Sequence, residues 1–133
     1  MNALLWTAQI LLAVIFLLSG TLKATLPKER LLATGQSGVA PFPPSVIKLT
    51  AWAELAAVLG LVLPQLTGIA PTLTVVAAAG LTLVMTGALI SHSTLLRADL
   101  RAGRRLHESI ESVAVLTNLA LLGLCVLVVA GRS

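Results

Sequence analysis

Four long stretches of this chain pass with almost no polar side chains. No Lys, Arg, Asp or Glu occurs from Met1 to Leu22, from Leu55 to Leu96, or from Ser112 to Gly131. A hydrocarbon layer about 30 Å thick is crossed by about 20 helical residues. Four segments meet that length: 3–23, 46–63 stopped by Pro64, 69–91 with Pro71 suited to its first turn, and 113–130 ended by Gly131. The tight link "PQLTGIAP" joins the second segment to the third. The pattern predicts an all-α fold, an integral membrane four-helix bundle forming a single transmembrane domain over 1–133. No internal repeat is visible.

The connections differ in character. The first, Ala24 to Ser45, starts like a short helix near Pro27. Lys28, Glu29 and Arg30 would face water while Leu31 and Leu32 rest on lipid, making a short interfacial helix. The rest is rich in Gly and Pro and reads as an irregular loop, from which Phe42 dips into the interface. The third connection, His92 to Ser109, is polar and basic; it reads as a partly helical, solvated connector rather than a ligand site. Lys23, Lys28, Arg30 and Lys48 flank the first connection, and Arg97, Arg101, Arg104 and Arg105 lie in the third. Eight of the nine basic residues thus belong to one side, which the preference of Lys and Arg for cytoplasmic loops assigns to the cytoplasm. Both termini are then expected outside the cytoplasm, with Trp6 near the outer interface and Trp52 near the inner one. Small residues on the second segment (Ala53, Ala56, Ala57 and Gly60) and on the third (Gly80 and Gly87) mark expected helix contacts.

Composition narrows the function classes. The chain is 57% hydrophobic and 11% charged, with a mean hydropathy of +1.00, against about a quarter charged residues in a soluble domain. A pI near 10.3 comes from the connections, and aromatic residues make up only 3%. A basic membrane protein therefore explains the charge better than nucleic-acid binding. The lone Cys125 lies within an apolar run and excludes an internal disulfide or a CxxC centre. The first segment lacks a basic leader and an A-x-A cleavage signal, so it reads as a retained helix. Two histidines, His92 and His107, make no metal-ligand spacing. There is no phosphate loop, nucleophile elbow or dinucleotide glycine pattern.

Candidate chemistry lies inside the membrane. Glu54 is the one acidic residue within the long apolar runs. Six positions past Lys48, it lies roughly 9 Å inside the cytoplasmic boundary at 1.5 Å per residue. A carboxylate there is costly unless it turns inward and finds a partner. Depth counting offers Lys23 and Ser19 on the first helix, Thr86 and His92 on the third, and Asn118 on the fourth, which together would form one polar layer. Each has a plainer role. Lys23 can snorkel to phosphates, His92 can rest at the interface, and Asn118 can bond a neighbouring backbone. Glu54 is either a structural tie between helices or an ionisable functional group.

The stretches "ILLAVIFLLSGTLKAT", "PKERL" and "LTAWAELAAVLGLVLPQLTGIAPTLT" resemble the DoxX-like family of small four-helix membrane proteins. The resemblance rests on SG-x-x-K (Ser19, Gly20, Lys23), on Glu54 followed by Gly60, and on LP-x-LTG (Leu63 to Gly68). It implies a membrane bundle associated with redox or oxidative-stress functions, because the family takes its name from a subunit of a thiosulfate:quinone oxidoreductase. It also implies an accessory or anchoring subunit rather than an enzyme acting alone, since the chain carries no cofactor ligands of its own. Expected partners are the bilayer, a protein subunit, a lipid-like or quinone ligand, or a second copy of the chain. The alternatives are a small-molecule or proton-coupled transporter, disfavoured by the lack of repeats, and a purely structural assembly subunit. A topology reporter fused after Ser133 is expected to read outside the cytoplasm; a cytoplasmic signal would overturn the orientation.

Overall fold

The computed structural model describes residues 1–133. Helices α1 (Asn2–Thr25), α3 (Pro44–Thr67), α4 (Thr72–Arg101) and α5 (Ile110–Arg132) are the long elements, and a short helix α2 (Lys28–Ala33) follows α1. There are no strands. Each long helix is long and apolar enough to cross a membrane. They pack in sequence around a square, with α1 against α3, α3 against α4, α4 against α5, and α5 back against α1. The buried positions of α3 are Ile47, Ala51, Glu54, Ala57, Leu61 and Pro64, and those of α4 include Thr74, Ala78, Leu81 and Met85. Steps of three and four residues give an inward stripe close to period 3.5, the pattern of helices crossing at a shallow left-handed angle.

The inner stripes are no more apolar than the outer surface. Leu12, Phe16, Leu61, Leu81, Cys125 and Val128 form the centre of the core. The remainder of the interior includes Gln9, Glu54, Thr74, Ser91, Glu111 and Asn118. Outside, Leu11, Leu18, Leu59, Leu83, Leu116 and many other large apolar side chains are exposed. A continuous surface of this kind is stable against hydrocarbon, not against water.

Helices α1, α3 and α5 outrun their expected limits at both ends, whereas α4 begins only at Thr72, with Pro71 as its N-cap, and ends well past Ser91; each shift has a local cause. The second segment does not stop at Pro64. Proline removes only the amide bond to the Gly60 carbonyl within the last turns, and the helix continues to Thr67, where Gly68 takes a left-handed φ of 71°. Ala70, also at positive φ (48°), completes the reversal into α4. The third segment continues past Ser91 to Arg101, so much of the basic connector is helix. The fourth begins at Ile110, where the Ser109 hydroxyl accepts from the Glu111 amide as an N-cap.

The first connection also differs in detail from the expectation. Leu31 does not lie on an outer face: it is fully buried with Val39 and Ile47, and Phe42 packs against them. Leu32 remains exposed. Lys28 folds inward and donates to the carbonyls of Ala40 (2.9 Å) and Phe42 (2.7 Å). The segment is thus a folded cap over the end of the bundle.

Close approach depends on fewer small residues than the spacing suggests. A Cβ on Gly60 would lie 2.8 Å from that of Ala77, and one on Gly20 3.0 Å from the Leu55 side chain. At Gly80 and Gly87 it would meet nothing within 4 Å. Replacing Gly60 with Leu is therefore expected to part α3 from α4 at a cost of about 2 kcal/mol, read as a lower melting temperature in detergent. Gly80→Leu should melt within a degree or two of the parent.

Candidate functional site

Glu54 is completely buried, and both of its oxygens are engaged from α1. Lys23 Nζ donates to Oε1 at 2.8 Å and Ser19 Oγ donates to Oε2 at 3.1 Å. Ser19 and Lys23 are four residues apart and so share one helical face. Gly20, between them, lets α3 approach. The lysine side chain is 15% exposed, so the pair is buried at the carboxylate and accessible at the ammonium. Lys48 closes the same end of the bundle. Its Nζ donates to the carbonyls of Lys23 (2.7 Å), Ala24 (3.0 Å) and Leu26 (2.8 Å). These are carbonyls at and just beyond the end of α1, and a cation satisfies them while complementing the helix dipole.

The other expected members lie elsewhere. His92 Nδ1 bonds Glu111 Oε2 at 2.6 Å, across the α4–α5 contact and not toward Glu54. Asn118 is buried, but its amide donates to the Ala114 carbonyl of its own helix (2.8 Å). Thr86 faces outward, fully satisfied by the Thr82 carbonyl at 2.8 Å. That is the usual recourse of a threonine in an apolar helix, and it places Thr86 outside any polar cluster. The single layer anticipated by depth therefore divides into a Ser19–Lys23–Glu54 group, a His92–Glu111 pair, and a separate Asn118.

A cavity of about 580 Å³ unites several of these groups. Ser19 and Lys23 line it from α1, His92 from α4 and Asn118 from α5, with Gln36 and Gly38 contributed by the first connection. Phe16, Val84, Met85 and Leu121 supply apolar wall, and the exposed Leu83 lies at the open rim. Glu54 is not part of the lining; it lies behind Ser19 and Lys23 and neutralises the ammonium. A mostly apolar chamber with a few convergent polar groups is the usual form of a small-molecule site.

Sequence reasoning missed Glu111, because the fourth segment was started at Val113. The signal was present in Ser109, an N-cap residue with an acidic residue in the first turn. A second polar cluster at the opposite end was also missed. There Gln9, completely buried, donates to the Leu61 carbonyl, one residue from the carbonyl that Pro64 leaves without its amide. Arg132 donates to Gln9 (2.8 Å) and Asn2 (2.9 Å) and stacks 5.5 Å from the Trp6 ring centroid.

The fold and its site define a small helical membrane protein with a half-open, polar-headed cavity between its helices. A family model for the DoxX-like family matches residues 7–128, and the chain belongs to that family. No curated protein and no solved structure matches it.

The geometry makes Glu54 and Lys23 interdependent. Glu54→Ala leaves a part-buried ammonium without its counter-ion and is expected to cost about 3 kcal/mol, seen as a depressed melting temperature and lower yield. Neutralising both together (Glu54→Gln with Lys23→Met) should recover most of the loss. A single variant as stable as the parent would show that the ion pair does not hold α1 to α3.

Proposed function

We propose that this DoxX-like protein is an inner-membrane accessory or anchoring subunit that holds a lipid-like molecule of the quinone class. The observation that carries this reading is the cavity. Its apolar walls suit a hydrocarbon tail or ring; Lys23 and Asn118 bring N–H donors to a polar head, and Ser19 and His92 add further polar atoms to the lining. Family membership supports the link to redox or oxidative-stress functions. The cationic surface supports an orientation with the cavity in the cytoplasmic half and both termini outside. Arg30, Arg97, Arg101, Arg104 and Arg105 stay exposed even though Lys28 and Lys48 are committed to backbone carbonyls. On that reading α2, with exposed Glu29, Arg30 and Leu32, lies at the inner interface.

Glu54 then works as a counter-ion. Because both its oxygens are occupied and it does not line the cavity, the arrangement favours a binding site headed by Lys23 over a carrier that titrates at Glu54. A structural subunit without ligand would use the same ion pair but has no need of the cavity.

Gly87 lines the cavity, and a Cβ there meets no atom within 4 Å, so Gly87→Leu adds bulk without a built-in clash. After mild-detergent purification from native membranes and mass spectrometry of the extract, the parent is expected to carry a specific amphiphile that the variant lacks, both melting alike. Identical extracts from the two would overturn the ligand reading.

A further inference from the structure

The His92–Glu111 pair has one ring atom unaccounted for. Glu111 is 5% exposed, and its carboxylate, an acceptor only, fixes the proton on Nδ1. In the neutral ring Nε2 is then an acceptor. It has no protein partner in the hydrogen-bond network, and it is not among the buried polar atoms left unsatisfied. In that tautomer Nε2 carries a lone pair without a protein partner, on a residue that lines the cavity. Gly38 keeps it so. A Cβ at position 38 would lie 2.5 Å from Nε2 and 2.9 Å from Cε1. Its backbone φ is not in the left-handed region, so the chain conformation does not itself demand glycine there. Ser91 Oγ, donating to the Gly38 carbonyl at 2.8 Å, holds that stretch of backbone over the ring.

We propose that His92 Nε2 is the acceptor for a hydroxyl on the cavity's ligand, of the phenol or quinol class, with Glu111 positioning the ring and Gly38 leaving the space beside Nε2. The charges around the cavity select the donor. A carboxylate or a bare carbonyl oxygen would oppose the Nε2 lone pair, with the Glu111 charge behind it. An amine would share the chamber with the Lys23 ammonium from α1. Glu54 of α3 is saturated by Lys23 and Ser19, and the lining residues of the first connection, Gly35 to Phe42, bear no titratable side chain. A neutral O–H meets none of these objections. The more acidic the hydroxyl, the better the bond, which favours an aromatic hydroxyl over an alkyl one. The same logic makes the site prefer a hydroxyl-bearing reduced ring to its acceptor-only oxidised form. This inference rests on the cavity reading above.

The test uses two redox-inert probes, 4-decylphenol and its methyl ether 4-decylanisole, titrated by calorimetry into the full-length protein in phosphatidylcholine nanodiscs, with empty nanodiscs as blank. The parent is expected to hold the phenol about ten-fold more tightly, the worth of one good hydrogen bond. His92→Asn keeps a donor for Glu111 and removes Nε2, and Gly38→Ala covers Nε2. Both should bring the ratio near one while leaving the ether's affinity unchanged. Glu111→Gln should lower the ratio in the same way, a change that a merely structural role would not produce. If both probes bind the parent equally and Gly87→Leu abolishes both, the cavity reading stands and the role of His92 is refuted. If neither probe binds the parent better than it binds Gly87→Leu, the cavity reading itself fails, and this inference with it.

Discussion

A buried carboxylate must be neutralised where it sits, and in this protein that requirement ties the bundle together. Glu54 lies on the inward stripe of α3 with no exposure, in surroundings where an unpaired charge is severely penalised. Lys23 and Ser19 meet it from α1, and Lys48 returns from α3 to the carbonyls that end α1. The two helices are thus cross-linked by reciprocal lysines: one answers a side chain, the other a helix terminus. Apolar packing alone would not fix this register, because leucines on either side of a membrane helix are nearly interchangeable between protein and lipid. Directional, charge-assisted hydrogen bonds do discriminate, since a shift of one residue would leave both lysines and the carboxylate unsatisfied.

Fixing that register leaves space beside it. The folded cap from Lys28 to Phe42, anchored by Leu31, Val39 and Ile47, lies over one end of the bundle, and the α4–α5 pair is joined there by His92 and Glu111. Between the α1–α3 pair and the α4–α5 pair lies the cavity, bounded by polar groups from both. The opposite end is closed by Gln9, Arg132 and Trp6, so the two ends of the molecule use their polar residues differently. At the Gln9 end they tie termini to neighbouring helices, and at the Glu54 end they border a chamber.

The spans, the short helix after Pro27 and the turn after Thr67 could be read from the chain with only their limits adjusted. Charge gaps and Gly or Pro signals mark a helix wherever it leaves an apolar run. Most limits moved outward because a helix continues past the last apolar residue as long as its ends are capped, as at Ser109 and Gly68; the start of α4 moved inward because the chain reversal at Ala70 and Pro71 precedes it. The site was legible in part. The Glu54 group followed from depth, since a lone carboxylate has few candidates within reach. Thr86 was misplaced because depth does not give azimuth, and in a helix that is apolar on every side hydropathy does not reveal which face turns inward. Leu31 was misplaced for the related reason that a leucine suits both lipid and core.

What the sequence by itself determined is the class of solvent, the number of crossings, the family, and the demand that Glu54 find a cation. Each follows from local composition and from the cost of unpaired charge in hydrocarbon. Only the tertiary structure decided that His92 meets Glu111, that Gly38 packs close beside the far ring nitrogen, and that Glu54 stands outside the lining of the cavity. Those relations join residues from separate helices and loops, and they depend on helix rotation and crossing angle. In a chain whose helices are apolar all round, rotation is set by a handful of polar contacts and close glycine approaches, which take effect only once the helices are packed.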